Sequence, residues 1–254
     1  MQKIYFLKST AFLLFILTAL FICKVLIEAN IKENVPSVSL RKVVGYLSEE
    51  NPKEATIAGM SVMLGFGEVA TDFLFLQAIQ YFGDWELPRE RKFKMVYPVI
   101  RATVTISPHF VPGYYFGALV FDELGYIDTA VDLLNEGISN NTRAFELWLY
   151  RDFTIRLFKT KEYKKAIEGI KKALQLKEHP PILDRILAYA YEKDGQIDRA
   201  ISQWGKIYIS TEDPGIKAIC RKNIARLIKE GSKNENNKKN KYNEKLLPGG
   251  EIKR

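Results

Sequence analysis

Apolar and small residues recur at helical spacing through residues 161–176, the most regular stretch of the chain. They are Tyr163, Ala166, Ile167, Ile170, Ala173 and Leu174. The lysines and the glutamate between them fall on the opposite side of a helix with 3.6 residues per turn. The stretch predicts an amphipathic helix whose alanines let a neighbouring helix approach closely while its larger residues fill the space around them.

The same spacing occurs three times. From Ala118, Thr154 and Ala188, apolar or small residues follow at offsets of 3, 12, 16 and 19, and the starts lie 36 and 34 residues apart. The residues at these offsets are Phe121, Ala130, Leu134 and Gly137, then Leu157, Ala166, Ile170 and Ala173, then Tyr191, Ala200, Trp204 and Ile207. Such a period is typical of helix-pair repeats. Turn signals at 125–126, 161–162 and 195–196 predict a helix, a tight turn and a second helix in each unit.

These three units, at residues 111–142, 147–180 and 181–214, resemble tetratricopeptide repeats (TPRs). The resemblance rests on Tyr114, Gly117, Ala118, Phe121, Gly125, Ala130 and Leu134, on Ala166 and Ala173, and on Ala188, Tyr191, Gly195, Ala200 and Trp204. The repeat-ending proline is displaced, because Pro180 and Pro214 come two residues late. The resemblance implies an all-α, TPR-like helix-pair solenoid with a generic protein-binding surface. Three unrelated helical hairpins are the alternative.

A degenerate repeat at residues 68–108 precedes these units. Residues 68–82 are apolar nearly all round, and residues 89–104 carry a second helical pattern after an enlarged turn around Trp85. Residues 71–77 stand in a pattern similar to that of membrane-anchored bacterial TPR proteins, with Phe75 where a tryptophan is common.

The N-terminal segment is predicted to cross a membrane. Residues 9–23 are uncharged and mostly apolar, and their apolar neighbours make the stretch long enough to span a bilayer. A cleaved signal peptide and a buried core helix are the alternatives. We predict a single-pass protein of the inner (cytoplasmic) membrane, with the repeats on the periplasmic or outer side.

The predicted organisation has four parts. They are an anchor or uncleaved signal at 1–29, a connector at 30–67, the repeat domain at 68–230 and a disordered basic tail at 231–254. Within the connector, residues 39–48 predict a short helix, and residues 60–66 predict a turn or short extended piece. Within the repeat domain, residues 215–230 predict a helix that caps the third clear repeat and ends at Gly231.

The charge distribution argues against nucleic-acid binding. Of the net charge of +8, residues 1–30 carry +2 and residues 231–254 carry +4, so only +2 remains for the middle. A protein that binds duplex phosphates needs a clustered basic face, and the repeats offer none. Cys23 and Cys220, the only cysteines, are not expected to meet in a disulfide.

A catalytic role is not expected. Glu68 and Asp72 lie four residues apart on one face of a helix, and such pairs occur in acid–base and metal sites. No second pair accompanies them, and His109 and His179 both stand beside prolines. Stabilisation of the positive helix end by the two carboxylates is the simpler interpretation. We therefore predict no enzyme activity, metal or cofactor, and keep a metal-dependent or hydrolytic enzyme as an alternative.

The first helices of stacked repeats line the concave face, so the repeat spacing predicts which residues contact a partner protein. They are Tyr115, Leu119, Asp122, Arg151, Ile155, Phe158, Arg185, Tyr189 and Glu192. Arginines would fix a carboxylate and aromatic residues would supply contact area. Packing of these residues against the connector or the last helix is the alternative. The predicted function is a membrane-anchored scaffold or accessory subunit of a membrane complex, with a transient assembly or secretion factor as the alternative.

Overall fold

The structure, a computed structural model of the 254-residue chain, describes Thr18, Ile22 and residues 40–177 and 179–246. The chain divides into two compact units, Met1–Val38 and Ser39–Arg254. Thr18 and Ile22, the described residues of the first unit, are both helical and exposed. The rest of the predicted span at 9–23 lies outside the described residues.

Helices follow one another through the described part of the second unit. They are α1 (Leu40–Leu47), α2 (Pro52–Met63), α3 (Gly67–Gly83), α4 (Arg89–Ile106), α5 (Val111–Glu123), α6 (Ile127–Asn140), α7 (Phe145–Leu149), a π-helical segment (Tyr150–Lys159), α8 (Tyr163–Ala173), α9 (Ile182–Lys193), α10 (Ile197–Ser210) and α11 (Pro214–Leu246). Because residues 40–177 and 179–246 contain no strand, the predicted all-α class is confirmed.

Consecutive helices pack as hairpins in the order that the repeat spacing predicts. The contacting pairs are α3 with α4, α5 with α6, the π segment with α8 and α9 with α10, and α11 packs on α10. All fifteen residues at the repeating positions are buried except Thr154, which is half-buried. The small residues among them, such as Ala118, Ala166 and Ala200, are fully buried where two helices meet. The spacing therefore identifies the core of the array.

The three predicted tight turns share one backbone feature. Gly125, Lys161 and Gly195 have φ angles of 94°, 57° and 76°, in the left-handed region. Glycine adopts this conformation without a steric penalty, whereas a lysine there is strained. The middle repeat thus turns at the same position as its neighbours, but with Lys161, which is less suited to the left-handed conformation than glycine.

The first helix of the middle repeat differs from the prediction. Residues Tyr150–Lys159 form a π-helix, and the Thr160 backbone N–H donates to the Ile155 carbonyl, five residues back, at 2.9 Å. A π-helix has more residues per turn than an α-helix, so the offsets of an α-helix no longer identify its buried face. Thr154 is consequently half-buried, and Ile155 takes the fully buried position beside it.

The connector and the tail also contain helix that the sequence does not predict. The predicted helix at 39–48 is present as α1, but α2 extends to Met63, through part of the segment predicted as a turn or extended piece. Pro52 begins α2, where its missing N–H costs nothing. At the other end, α11 passes Gly231 and continues to Leu246. A single glycine costs a helix only about 1 kcal/mol, and no proline follows until Pro248.

Candidate protein-binding surface

The nine residues predicted to contact a partner do not share one environment. Tyr115 and Phe158 are exposed, and Leu119, Arg185, Tyr189 and Glu192 are half-buried. Asp122, Arg151 and Ile155 are buried, with at most 7% of each residue exposed. The first six stay candidates for partner contact, whereas the last three are parts of the core in this structure.

Asp122 holds α5 against the π segment instead of facing a partner. Its Oδ2 accepts hydrogen bonds from the Tyr150 hydroxyl at 2.9 Å and from Lys159 Nζ at 2.7 Å. Burial, followed by the hydrogen bond to this carboxylate, raises the pKa of Tyr150 above its ordinary value, so the phenol stays neutral and donates. The structure thus places Asp122 in a buried, paired environment and not on the predicted open face, because the π segment covers that side of α5.

Arg151 belongs to a buried ionic cluster. Its Nε and Nη2 donate to the two oxygens of Asp152 at 3.1 and 2.8 Å, and Arg156 Nη1 donates to Asp152 Oδ1 at 2.7 Å. A third donor atom, Arg151 Nη1, reaches Asn135 Oδ1 on α6 at 2.8 Å. The Arg151 guanidinium also lies 4.7 Å from the centre of the Trp148 ring. Arg151 is therefore committed to the fold and is not available for a partner's carboxylate.

The cluster forms because the π segment turns Asp152 toward α8. A Cβ built on Gly169 of α8 would lie 1.9 Å from Asp152 Oδ2 and 2.3 Å from its Cγ. Only glycine leaves room there for the carboxylate. Ile155 is fully buried on the same segment, which corrects its predicted place on the open face.

Glu192 is already paired within the chain. Its carboxylate accepts hydrogen bonds from Arg226 of α11 at 2.6 and 3.2 Å. The hydrogen bond to Glu192 is the largest effect that raises the pKa of Arg226. The ion pair holds α11 against α9. Because Glu192 is paired in this way, the predicted partner-binding surface is reduced to the other accessible candidate residues.

The structure brings Phe158, Arg185 and Tyr189 together at one groove between the π segment, α9 and α11. The Phe158 and Tyr189 rings stack with centroids 5.7 Å apart, and Phe153 meets Phe158 edge-on at 4.8 Å. We call this site the C-terminal groove, a cavity of about 290 Å³ lined by Phe153, Phe158, Ile182, Arg185, Ile186, Tyr189, Trp204 and Ile219. It combines an apolar wall with few polar groups, as protein-binding grooves do.

The polar groups at the C-terminal groove are hydrogen-bond donors. Arg185 is half-buried at its edge and is the donor that a ligand can reach, whereas the Trp204 indole Nε1, which has no hydrogen-bond partner within the part of the chain described, is itself buried. Cys220 lies close to Arg185, and burial raises the pKa of its thiol, so the thiol stays neutral. A ligand that fits this groove therefore presents an apolar side chain together with a hydrogen-bond acceptor.

The acidic pair on α3 is not part of a metal site in this structure. Glu68 and Asp72 are both exposed, and Glu68 lies in the first turn of α3, where a carboxylate stabilises the helix end. His109 Nδ1 lies 3.1 Å from the Asn140 carbonyl, at the end of α6. In the residues that the structure describes, no group of three or more His, Cys, Asp or Glu side chains is placed to hold a metal ion.

The structure does not test the predicted membrane span. Across Thr18, Ile22, residues 40–177 and residues 179–246, no helix has the length and apolar content needed to cross a membrane. The predicted span at residues 9–23 is largely outside these ranges, so it stays a prediction.

Comparisons with known proteins give a structural likeness and no sequence family. No protein-family model matches the chain, and no curated protein matches it. The chain is similar to the crystal structure of TTC0263, a thermophilic TPR protein of Thermus thermophilus, with a TM-score of 0.40 and 19% sequence identity. The match covers 68% of this chain and 98% of that one. A likeness at this level carries no argument by itself, so the TPR-like description rests on the hairpins and the buried repeat positions.

Sequence reasoning missed Trp204, Ile182 and Ile219 as groove residues. The repeat spacing assigns Trp204 to the core between helices, which it also fills, since only 6% of it is exposed. Ile219 lies on α11, outside the repeat pattern. The sequence predicts that the apolar side of α11 covers the third repeat, so Ile219 would be buried. Only the structure shows that 44% of Ile219 is exposed.

Proposed function

We propose that this chain is a membrane-anchored scaffold, or an accessory subunit of a membrane complex, that holds a partner protein in the C-terminal groove. The observation that supports the proposal is the aromatic pair of Phe158 and Tyr189 beside Arg185, in an otherwise apolar groove. Accessible aromatic residues next to an arginine are the residue types that dominate binding energy at protein interfaces. The proposed partner presents an apolar side chain next to a carboxylate, which Arg185 binds by charge-assisted hydrogen bonds.

The proposed location is the inner membrane, with the repeats on the periplasmic or outer side. The membrane location is supported by the apolar residues 9–23, which together with their apolar neighbours are long enough to span a bilayer. An assembly or secretion factor that binds its client transiently is the second candidate. It uses the same groove and differs in how long the partner stays bound.

The test is capture of partners from membranes with full-length chain and two double variants. Phe158→Ser with Arg185→Glu removes the aromatic surface and reverses the charge of the groove. The matched control, Ile209→Ser with Lys206→Glu, makes the same kinds of change at exposed positions of α10. Both variants should keep the far-UV circular dichroism of the wild type.

We expect the groove variant to lose the captured partner and the control variant to keep it. Stable, stoichiometric co-purification would favour a complex subunit, whereas capture only after cross-linking would favour the transient factor. Equal capture by the wild type and both variants would mean that the C-terminal groove is not the binding site.

A further inference from the structure

An exposed apolar surface lies at the other end of the described array, on the hairpin of α2 and α3. We call it the N-terminal apolar face, made of Ile57, Met60, Met63, Leu64, Val69, Leu76 and Ile79. These seven residues are between 41% and 74% exposed. Contiguous apolar surface of this kind on a folded domain marks an interaction site more often than a chance exposure.

Helical spacing places these residues on one side of each helix. On α3, positions 69, 76 and 79 are separated by seven and three residues, and on α2, positions 57 and 60 are separated by three, with Leu64 four residues further on, directly after the helix ends. Such intervals define one stripe on each helix. The opposite sides are buried, with Leu74 and Ala78 on α3 and Ala58 on α2 fully covered.

The two stripes lie on the same side of the hairpin. Helix α2 packs on α1, α3 packs on α4, and α1 packs on α4, so α1 and α4 form a layer beneath the pair. The Tyr81 hydroxyl donates to the Glu54 carboxylate, which joins the end of α3 to the start of α2. The sides of α2 and α3 that face away from the lower layer therefore form one continuous surface.

The charged residues are unevenly distributed along this surface. Glu68 and Asp72 are exposed on α3, with Asp72 between Val69 and Leu76 on the same stripe. Lys53, an exposed cation, precedes Glu54 at the start of α2, and Glu54 pairs with Tyr81 at the opposite end of the hairpin. One end of the N-terminal apolar face is thus acidic, and its apolar residues include Met60 and Met63.

We propose that the N-terminal apolar face docks a basic amphipathic helix of a partner protein. The apolar side of that helix lies across the stripes of α2 and α3, and a lysine or arginine on it faces Asp72 and Glu68. Amphipathic helices bind apolar grooves through anchors three or four residues apart, and methionines adapt to such anchors because their side chains are unbranched and flexible. The proposal is independent of the C-terminal groove, which contains the cationic Arg185 and is proposed to bind a hydrogen-bond acceptor.

A lipid surface is the competing occupant, and the charges disfavour it. Two carboxylates on the face would be repelled by anionic headgroups and would lose hydration in the bilayer interface. In a protein interface the same carboxylates gain partners of opposite charge, which fixes the orientation of the docked helix.

The probes are two synthetic amphipathic peptides of about 18 residues, or five helical turns, with leucines on one side and either lysines or glutamates on the other. They are titrated against the full chain in nanodiscs of neutral phosphatidylcholine. The variant is Glu68→Lys with Asp72→Lys. Its matched control is Asp128→Lys with Asp132→Lys, an exposed pair with the same spacing on α6.

We expect the wild type and the control to bind the lysine peptide more tightly than the glutamate peptide. The Glu68→Lys, Asp72→Lys variant should reverse that preference, with its affinity for the lysine peptide lowered about three- to tenfold, as two partly screened charge pairs allow. Leu76→Ser should weaken binding of both peptides. An unchanged preference in the double variant, or an equal change in the control, would overturn the proposal.

A fluorophore on the face separates a protein partner from lipid. Leu76→Cys in a Cys23→Ser chain can be labelled with a polarity-sensitive dye, since the other thiol, Cys220, is fully buried. A blue shift of the emission only after addition of the lysine peptide supports the proposal. A blue shift already present in nanodiscs without peptide means that lipid covers the face, and it overturns the proposal.

Discussion

Substitution of Gly169 by alanine should destabilise the protein, although alanine is normally the better helix former. Gly169 lies inside α8, where replacement by alanine would by itself stabilise by about 0.5–1 kcal/mol. The new Cβ, however, would lie 1.9 Å from Asp152 Oδ2. An aspartate side chain is too short to move away from this position and still bind both Arg151 and Arg156.

The expected cost follows from the burial of the cluster. The side chain of Asp152 is fully buried, and those of Arg151 and Arg156 are only 8% and 16% exposed. Loss of one partner from a buried ion pair costs about 3–5 kcal/mol, because a charge stays buried without compensation. After the helix-forming gain is subtracted, Gly169→Ala should lower the free energy of unfolding by about 2–4 kcal/mol and the melting temperature by about 4–16 °C.

A double-mutant cycle measured by far-UV circular dichroism tests the mechanism. In an Asp152→Ala background the clash is absent, so Gly169→Ala should be neutral or slightly stabilising. Gly205→Ala is the matched control, because Gly205 is also inside a helix and its Cβ would meet nothing within 4 Å. It should raise stability by about 0.5–1 kcal/mol. A Gly169→Ala protein that melts at or above the wild-type temperature would refute the assigned packing of Asp152.

Three other changes test the repeat packing, the middle turn and the membrane anchor. Ala166→Arg should unfold the array, because Ala166 is fully buried between helices. Lys165→Ala should leave the melting temperature unchanged, because it removes only an exposed ion pair with Glu162 at 2.5 Å. Equal melting temperatures of the two variants would show that the repeat alignment is wrong. Lys161→Gly should raise the free energy of unfolding by about 0.5–1 kcal/mol in denaturant titration, because it relieves the left-handed strain at φ 57°, and a loss of stability would contradict that assignment. The full chain should stay with membranes through high-salt and carbonate washing, and its release would show that residues 9–23 are not an anchor.

The repeat architecture could be predicted from sequence because it depends on local patterns. Small residues such as Ala118, Ala166 and Ala200 recur at fixed offsets, and turn residues stand between the helices of each pair. Each helix hairpin repeats the same contacts with its neighbours, so a period in sequence becomes a period in packing. The α1 helix followed from the same kind of local spacing.

The accessibility of the candidate contact residues could be predicted only in part. Phe158, Arg185 and Tyr189 lie at one groove, as the spacing suggested, but Asp122, Arg151 and Ile155 are buried. The π segment changes the spacing of buried residues, and it places the buried cluster of Asp152, Arg151 and Arg156 against Gly169. The contacts of this cluster with Asn135 of α6 and Gly169 of α8 join different helices, so no pattern within one helix indicates them.

The most direct test of the account is site-specific photo-cross-linking in intact membranes. A photoreactive phenylalanine analogue replaces Phe158 in the C-terminal groove, and in a second protein it replaces Ile209, which is 81% exposed on α10. We expect a discrete cross-linked product of one partner protein from position 158, which disappears when Arg185→Glu is added, and no such product from position 209. The absence of a product at position 158, or the same product from both positions, would contradict the claim that the C-terminal groove holds a partner.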